Sequence, residues 1–586
     1  MRLLPLLVVV GLVGAAGCGT RASKGTTGPA AKAAEDPWPA AVTALRKEST
    51  PGGLARVLGE LSAAAGGDAK FAPEAVPPSA EAALKDLARL TDDDLKAIRP
   101  AGYSALDPHY LAECLYLRDI ARTLDATGLP PDQKARRAFD WVCRQVVLAP
   151  ASLPGRGVFP PAPPTLVLRR GAGSGLERAY VLLALGQQVG VNFALIGPAD
   201  AADKTWQFDP APQPNQPPRG PFWAVGVPTG GGVLLFDPWR NVPFTKPDNP
   251  APVTLAEAVA DPALAAGVPA DRVKASVPFL SVPLSALAPR LKRLEAELKA
   301  DAPRLFVDLP AAAKAFADRT KSAPQVWNPP GDLFSYPRAL AGFTPVADGG
   351  TLADPNLPLL FKRSQVPDSL MQAGFAPGLA TTPTDLGAPD AVQQLQAVSL
   401  GQFAEQFLVD PSPRERTQRG QPEAVRQLVA LRDDFLKGQE RLRTDRDREA
   451  VVREWVGEAR ERCRKLAAAR DRNPAALADA QAAFQKFWQD SRRAWAVLVD
   501  VAVTDAGAAE ATFLLALVRH EQAEREQVKV ARQPTADGRR TAADAWAEAR
   551  GWWARYEPFA DAQDKAFPGR AAHARRLAAE AAGKGG

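Results

Sequence analysis

One long apolar run dominates the hydrophobic pattern of this chain. Residues 176–189 are too long a run for a typical strand, so the pattern predicts a helix that is buried on most sides. Its few polar positions are Glu177, Arg178, Gln187 and Gln188. A Gly-rich turn at residues 171–175 precedes the helix, and Gly190 stands where a C-cap is expected.

The pattern then changes from the helical period to the strand period. Residues 191–196 predict a strand, and residues 222–227 and 233–236 predict a hairpin closed at residues 229–232. The Pro-rich segments on either side, 150–164 and 198–221, predict loops. Aromatic residues in and after the second loop could line or cover a groove. These are Trp206, Phe208 and Trp223.

Most of the remaining chain has a helical pattern. Helices are predicted in 37–125, at 132–147 and at 285–299, and a strand is predicted at 304–307. Capping residues predict two more helix starts, at Thr254 with Glu257 and at Asp308. Residues 321–421 predict a loop-rich connector. From 422 onwards, turn signals at 473–474, 505–507, 534–538 and 568–569 divide about five predicted helices.

These elements predict an α+β fold and a division into segments. The segments are a leader at 1–18, a tether at 19–36, helices and an α+β core at 37–264, a small α+β extension at 265–320, the connector at 321–421 and an α-helical bundle at 422–586. The bundle carries an aromatic group that we expect to be core rather than a ligand or partner surface. Its members are Trp546, Trp552, Trp553 and Tyr556.

The start of the chain has the pattern of a targeting signal. Arg2 precedes an apolar stretch at 3–13, which is too short to span a bilayer, and Ala15-Ala16-Gly17-Cys18 follows. This order resembles a bacterial lipobox with Cys18 as the lipidated residue. We expect a lipid-anchored protein of the cell envelope. An ordinary cleaved signal peptide, with Cys18 incidental, is the alternative.

Composition excludes several kinds of site. Net charge is +6 over 586 residues, and no compact basic-aromatic motif is present, so we predict no nucleic-acid partner. Cys114, Cys143 and Cys463 each lie on an apolar helical stripe and lack metal-site spacing, although a Cys114–Cys143 disulfide is an alternative. A lone His520 cannot make a metal site, so no metal or cofactor is predicted.

The order of elements around the long helix resembles the transglutaminase-like superfamily, a papain-like α+β fold. That family has Gly-x-Cys-x-x-x-Ala at the start of a helix, a Gly after it, His-x-Trp on one strand and Asp on the next. The positions that fall in step are Ala179, Gly190, Trp223 and Asp237. The sequence FDWVCRQV at 139–146 resembles the family's entry helix. The segment after Asp237 resembles large transglutaminase-like lipoproteins of planctomycete-type bacteria.

The resemblance implies a catalytic Cys–His–Asp set, and this chain lacks two of its members. The nucleophile position falls on Gly175, or on Ser174 after a slip of one residue. The His position falls on Pro221, or on Phe222. We therefore predict a non-catalytic relative with open space above Gly175, and we predict that Asp237 bonds the backbone of its own turn.

Two functions follow from these observations. The favoured one is an envelope lipoprotein that binds a peptide or protein through the degenerate core and acts as a scaffold. The alternative is an active hydrolase or acyltransferase that uses displaced residues, such as Asp237 with Glu177, because two carboxylates near a cleft can do acid–base work. The partner itself is unknown.

Overall fold

The computed structural model describes about two thirds of the chain. The described residues are 36–48, 50–67, 81, 85, 92–99, 102–104, 106–148, 163–200, 222–247, 249–320, 322–327, 413–444, 474–490, 492–566 and 569–584, with scattered positions between 454 and 468. The leader, the tether and most of the connector lie outside these residues. So do Cys18, Trp206, Phe208, Pro221 and Cys463.

The described elements alternate between helices and short strands in the first half of the chain. The helices are α1 Trp38–Leu45, α2 Pro51–Gly67, α3 Asp92–Ile98, α4 Asp107–Thr123, α5 Pro131–Gln145, α6 Pro164–Arg170, α7 Gly175–Val189, α8 Leu255–Ala260, α9 Ala270–Lys274, α10 Pro289–Leu298, α11 Leu309–Ala317, α12 Pro413–Gln418, α13 Pro422–Thr444, α14 Pro474–Asp490, α15 Arg492–Arg532, α16 Ala536–Ala566 and α17 Arg570–Gly583. The strands are β1 Val147–Leu148, β2 Ala172–Gly173, β3 Ala194–Pro198, β4 Ala224–Thr229, β5 Gly232–Asp237, β6 Val242–Pro243, β7 Thr245–Lys246, β8 Asn249–Pro252, β9 Ser276–Leu280 and β10 Gln325–Val326. The α+β class and the helical C-terminal region are confirmed.

A six-stranded mixed sheet with the order β10-β9-β3-β4-β5-β6 forms the centre of the core. The predicted hairpin is confirmed as β4 and β5, because Thr229 pairs with Gly232 across a two-residue Gly-Gly turn. Strand β9 pairs antiparallel with β3, and β10 pairs parallel with β9. Residues 276–280 and 325–326 thus belong to the same sheet as the predicted core.

The sheet carries a hydrophobic cluster on each face, because successive strand side chains point to opposite sides. Leu195, Val225 and Phe236 pack in one cluster with α5 and α7. Ile196 and Leu235 pack in the other cluster with residues of α3, α8 and α11. Helix α7 therefore lies on the first face, buried along almost its whole length.

Helix α7 begins and ends where the sequence predicts. Ser174 and Glu177 form a capping box at its start, and Gly190 adopts φ 79° after its last residue. The other two predicted caps are confirmed as well. Thr254 and Glu257 form a capping box on α8, and Asp308 accepts from the backbone N–H of Ala311 on α11.

The predicted strand at 304–307 is wrong. Its backbone finds side-chain partners instead of a neighbouring strand, so no ladder forms. One carboxylate oxygen of Glu295 accepts from the N–H of Leu305 at 2.7 Å and of Phe306 at 3.0 Å. The N–H of Arg304 donates to Gln188 at 2.9 Å. These contacts satisfy backbone donors that a strand would have used.

The predicted break at 505–507 is also wrong. Helix α15 runs through it from Arg492 to Arg532. Gly507 lies at a close approach to α13, where an added Cβ would stand 2.4 Å from Cζ of Phe435. The glycine thus permits helix–helix contact and does not end the helix.

The C-terminal helices pack on the core. Trp546, Trp553 and Tyr556 are buried in their cluster, which confirms the core interpretation for these three, and Val147 of the core joins the same cluster. Trp552 is half-buried between two guanidinium groups, at 5.4 Å from Arg432 and 4.6 Å from Arg555. Among the helices of the described ranges, none combines the length and apolar character needed to cross a bilayer.

Candidate functional site

Gly175, the position at which the resemblance predicts a nucleophile, lies at the start of α7 and is covered by a tryptophan. Gly175 is the first residue of α7, and a Cβ built on it would stand 2.0 Å from Nε1 and 2.2 Å from Cδ1 of Trp239. Trp239 is 5% exposed. The expectation of open space above Gly175 is therefore wrong, because the turn after β5 folds the indole onto the helix N-terminus.

Asp237 shapes the turn that carries this indole. Its Oδ1 accepts from the backbone N–H of Trp239 at 2.9 Å and of Arg240 at 3.0 Å, so the predicted bonds to its own turn are confirmed. Burial raises the pKa of Asp237 to about 6, although Arg240, whose Nε lies 3.7 Å from Oδ2, opposes the shift. The carboxylate is 2% exposed and acts as a positioning group for Trp239.

Arg178 also holds this turn, although the sequence pattern marked it only as a polar position of the helix and predicted no role for it. Its guanidinium is fully buried, and it donates to the carbonyl of Val146 at 2.9 Å and of Pro238 at 2.9 Å, and also to the side chain of Asn241. Burial lowers its pKa to about 10. A charged residue inside an apolar helix was the available signal, because a buried charge requires several hydrogen-bond partners.

The carboxylate of Glu177 contacts both the start of its own helix and a neighbouring arginine. Its Oε2 accepts from the N–H of Ser174 at 2.8 Å and lies 2.6 Å from Nη2 of Arg170. Ser174 uses its Oγ to accept from the N–H of Glu177 at 3.2 Å. The carboxylate and the hydroxyl therefore complete a helix cap and an ion pair.

The residues at the family's His position belong to the core. Pro221 lies outside the described residues. Phe222 is fully buried and packs edge-on against Phe279 and Trp327, with ring centroids 5.3 and 4.9 Å away. Trp223 is also fully buried and donates from Nε1 to Oγ of Ser276 at 2.9 Å. Its placement in the predicted groove is corrected, because the ring faces the core. Trp206 and Phe208 lie outside the described residues.

Cys114 and Cys143 are free thiols in separate clusters, so the disulfide alternative is not what the structure shows. Burial raises the pKa of Cys114 well above its usual value and that of Cys143 to about 12. Raised pKa values and burial disfavour the thiolate, which is the reactive form of cysteine.

A small cleft that is partly open to solvent lies at the other end of α7. Its walls are mostly apolar and come from α7, from the segment after β9 and from the start of α11. Leu183, Phe193, Val282 and Leu309 are among them. Ser281 lines the cleft, is 4% exposed, and its Oγ has no hydrogen-bond partner. The apolar walls suit a small apolar group.

A second group of polar side chains lies in the C-terminal bundle. His520, Glu524 and Glu580 bring their ligand atoms within 4.8 Å of one another. The statement that His520 is a lone histidine unable to make a metal site is corrected here, since α17 supplies Glu580 from more than fifty residues away in sequence. Sequence spacing could reveal only the pair His520 and Glu524, one helical turn apart.

Comparison with protein-family models, with curated proteins and with solved structures finds no match to this chain. The function is therefore inferred from the geometry at Gly175, Trp239 and Asp237.

Proposed function

We propose that the chain is a non-catalytic, transglutaminase-like lipoprotein of the cell envelope that binds a peptide or protein segment. The observation that supports this most directly is Trp239 on Gly175. A thiol nucleophile at the helix N-terminus needs space for itself and for an acyl group. Here the indole of Trp239 occupies the space that the Cβ of a nucleophilic residue at position 175 would need. Acyl transfer also needs a base, and the described residues next to this turn supply no histidine.

The two carboxylates of the alternative are already engaged. Asp237 bonds its own turn and Glu177 caps α7 beside Arg170, so neither is free to move a proton to a substrate. The groups that remain are suited to binding. The cleft at the far end of α7 offers apolar walls that would accept an aliphatic side chain, and the buried hydroxyl of Ser281 beside them has no hydrogen-bond partner.

The absence of acyl transfer is tested on the purified full chain. Transamidation and peptide hydrolysis are assayed in the wild type and in Asp237→Asn, which keeps the turn's acceptor oxygen. We expect no turnover from either protein. Turnover in the wild type that is lost in Asp237→Asn would overturn the proposal, since only a catalytic carboxylate would behave in this way.

Binding at the cleft is tested by photo-crosslinking in cells. A photoreactive residue is placed at Asn192, an exposed position on the rim, and for comparison at the exposed Arg539 of α16. We expect a defined adduct from position 192 that position 539 does not give, and a weaker adduct when Ser281→Val is added. Equal labelling from both positions would count against the cleft as the binding site.

The anchor is tested separately. Cys18→Ser should release the protein from the membrane fraction, because lipid attachment contributes about 0.8 kcal/mol for each buried CH₂ group. A Ser variant that sediments with membranes as firmly as the wild type would contradict the lipoprotein assignment.

A further inference from the structure

The ammonium group of Lys584 lies beside a group of three side chains, His520, Glu524 and Glu580. His520 and Glu524 lie one turn apart on α15 and face the same way, and Glu580 reaches them from α17. The ammonium group of Lys584 pairs with Glu524 and lies 3.5 Å from Oε1 of Glu580. It also lies 5.2 Å from the ring centroid of Trp546.

His520 provides the independent indication of a ligand. Its ring is fully buried, and its Nε2 has no hydrogen-bond partner. Oε1 of Glu580 lies 3.8 Å from Nε2, close enough for charge attraction but too far for a hydrogen bond. A buried nitrogen without a partner is destabilising, and the ring offers a ligand atom within 4.8 Å of a carboxylate oxygen of Glu524 and of Glu580.

We propose that these three side chains bind a divalent transition-metal ion of the Zn²⁺ class, and that Lys584 competes with it. One imidazole nitrogen and two carboxylate oxygens form a three-ligand set of the kind that Zn²⁺ accepts, with water in the fourth position. Ligand atoms around Zn²⁺ stand about 3.4 Å apart when each bond is about 2.1 Å. The separations here reach 4.8 Å. Glu524 and Glu580 have side chains 19% and 27% exposed, so both can rotate to close the set.

Metal binding has two identifiable costs. The ammonium of Lys584 must leave, and it can do so because its side chain is 41% exposed at the end of α17. In addition, Nε1 of Trp553 donates to Nδ1 of His520 at 3.3 Å. With Nδ1 accepting from the indole, Nε2 is the nitrogen that carries a ring proton. A metal at Nε2 requires that this proton move to Nδ1 or leave, and the Trp553 bond is then given up. These costs predict a modest affinity that depends on Lys584.

Isothermal titration of the full chain in detergent with Zn²⁺ alone tests the proposal. We expect one ion per chain in the wild type. Lys584→Met keeps the aliphatic stem over Trp546 and removes the competing charge, so binding should tighten by about tenfold. Glu580→Gln should weaken binding by about tenfold or more. Lys529→Met is the matched control, since Lys529 pairs with Glu526 on the same helix with 65% exposure, and it should change nothing.

The comparison between variants separates this site from any other zinc ligand in the chain. An ion held by a cysteine elsewhere would bind equally to the wild type, to Lys584→Met and to Glu580→Gln. That result would overturn the proposal, as would a Lys584→Met protein that binds no Zn²⁺. Titration with Co²⁺ gives a second measurement, because absorption bands of a low-coordinate nitrogen–oxygen site should appear in Lys584→Met and not in Glu580→Gln.

Discussion

At the scale of single residues, the contact between Gly175 and Trp239 defines this core. A glycine at the first position of a helix is a weak choice by propensity, since alanine is favoured in helices by about 1 kcal/mol. The indole of Trp239 gives the glycine its reason, because no side chain fits beneath it. Asp237 and Arg178 then hold the turn that places the indole, through bonds to backbone groups on either side.

Gly175→Ala should therefore destabilise the protein. We expect the free energy of unfolding to fall by about 1–3 kcal/mol, the range for overpacking a buried site. Gly551→Ala in α16 is the matched control, because nothing lies within 4 Å of its added Cβ, and it should stabilise by about 0.5–1 kcal/mol. Urea unfolding measures both. Adding Trp239→Leu should remove most of the loss at 175, and a loss that persists unchanged would mean that the indole is not its cause.

Asp237→Asn should change how stability depends on pH. Burial raises the pKa of the folded carboxyl from 3.8 to about 6, so the folded state keeps a proton that the unfolded chain has already lost. The stabilising contribution is complete below about pH 4 and is lost as the pH rises to about 6. At neutral pH the wild type has therefore lost up to about 3 kcal/mol of the free energy of unfolding that the protonated carboxyl contributes. Asn keeps the acceptor oxygen and carries no charge.

Unfolding titrations from pH 4 to 7 measure that difference. The gap in stability between Asp237→Asn and the wild type should grow in favour of the variant across this range. Gly551→Ala, which changes no titratable group, is the control, and its gap from the wild type should not vary with pH. A gap that stays constant with pH would show that Asp237 does not titrate with a raised pKa.

At the scale of elements, the residues next to a helix end determine where the helix begins or stops. Whether a helix continues through a glycine in its interior can depend instead on what packs against it. The predicted caps at Thr254 and Asp308 are confirmed, because each bond joins residues three positions apart. Gly507 behaves differently. Its sequence context is typical of a turn, yet α15 continues through it because α13 packs against it.

Gly507→Ala should be destabilising although it raises helix propensity. The added Cβ would meet Phe435 at 2.4 Å, so α13 and α15 would have to separate. We expect a loss of about 1–3 kcal/mol with helical circular dichroism unchanged. Combining it with Phe435→Leu should recover part of the loss. A stabilised single variant would indicate that the two helices do not pack closely at this point.

At the scale of the whole molecule, buried polar contacts join the C-terminal helices to the α+β core. Nε and Nη2 of Arg144 donate to the two carboxylate oxygens of Glu521 at 2.9 and 3.1 Å. His573 approaches the carbonyl of Arg144 at 2.9 Å, and burial lowers its pKa well below the usual value, so the neutral ring donates from Nε2. These contacts tie α5, α15 and α17 together. The domain boundary at 421–422 remains a prediction.

Glu521→Gln should strongly lower the free energy of unfolding, because it breaks the ion pair that joins α5 to α15. Removing one member of a buried ion pair leaves Arg144 without its counter-charge, and such changes cost about 3–5 kcal/mol. The control is Glu557→Gln, because Glu557 pairs with Arg575 at a position where both side chains are about half exposed, and it should cost under about 1 kcal/mol. Urea unfolding followed by circular dichroism and by tryptophan fluorescence measures both. Equal losses in the two variants would show that the joint contributes little.

The sequence by itself determined the α+β class, the bounds of α7, the β4–β5 hairpin and the helix caps. Each depends on periodicity or on bonds between residues a few positions apart, and the residues alone specify these. The tertiary structure decided the rest. It placed Trp239 on Gly175 and brought Glu580 beside His520. It also paired backbone N–H groups of the segment 304–307 with the side chains of Glu295 and Gln188. Those contacts join segments that are distant along the chain, and only packing of the whole fold fixes their geometry.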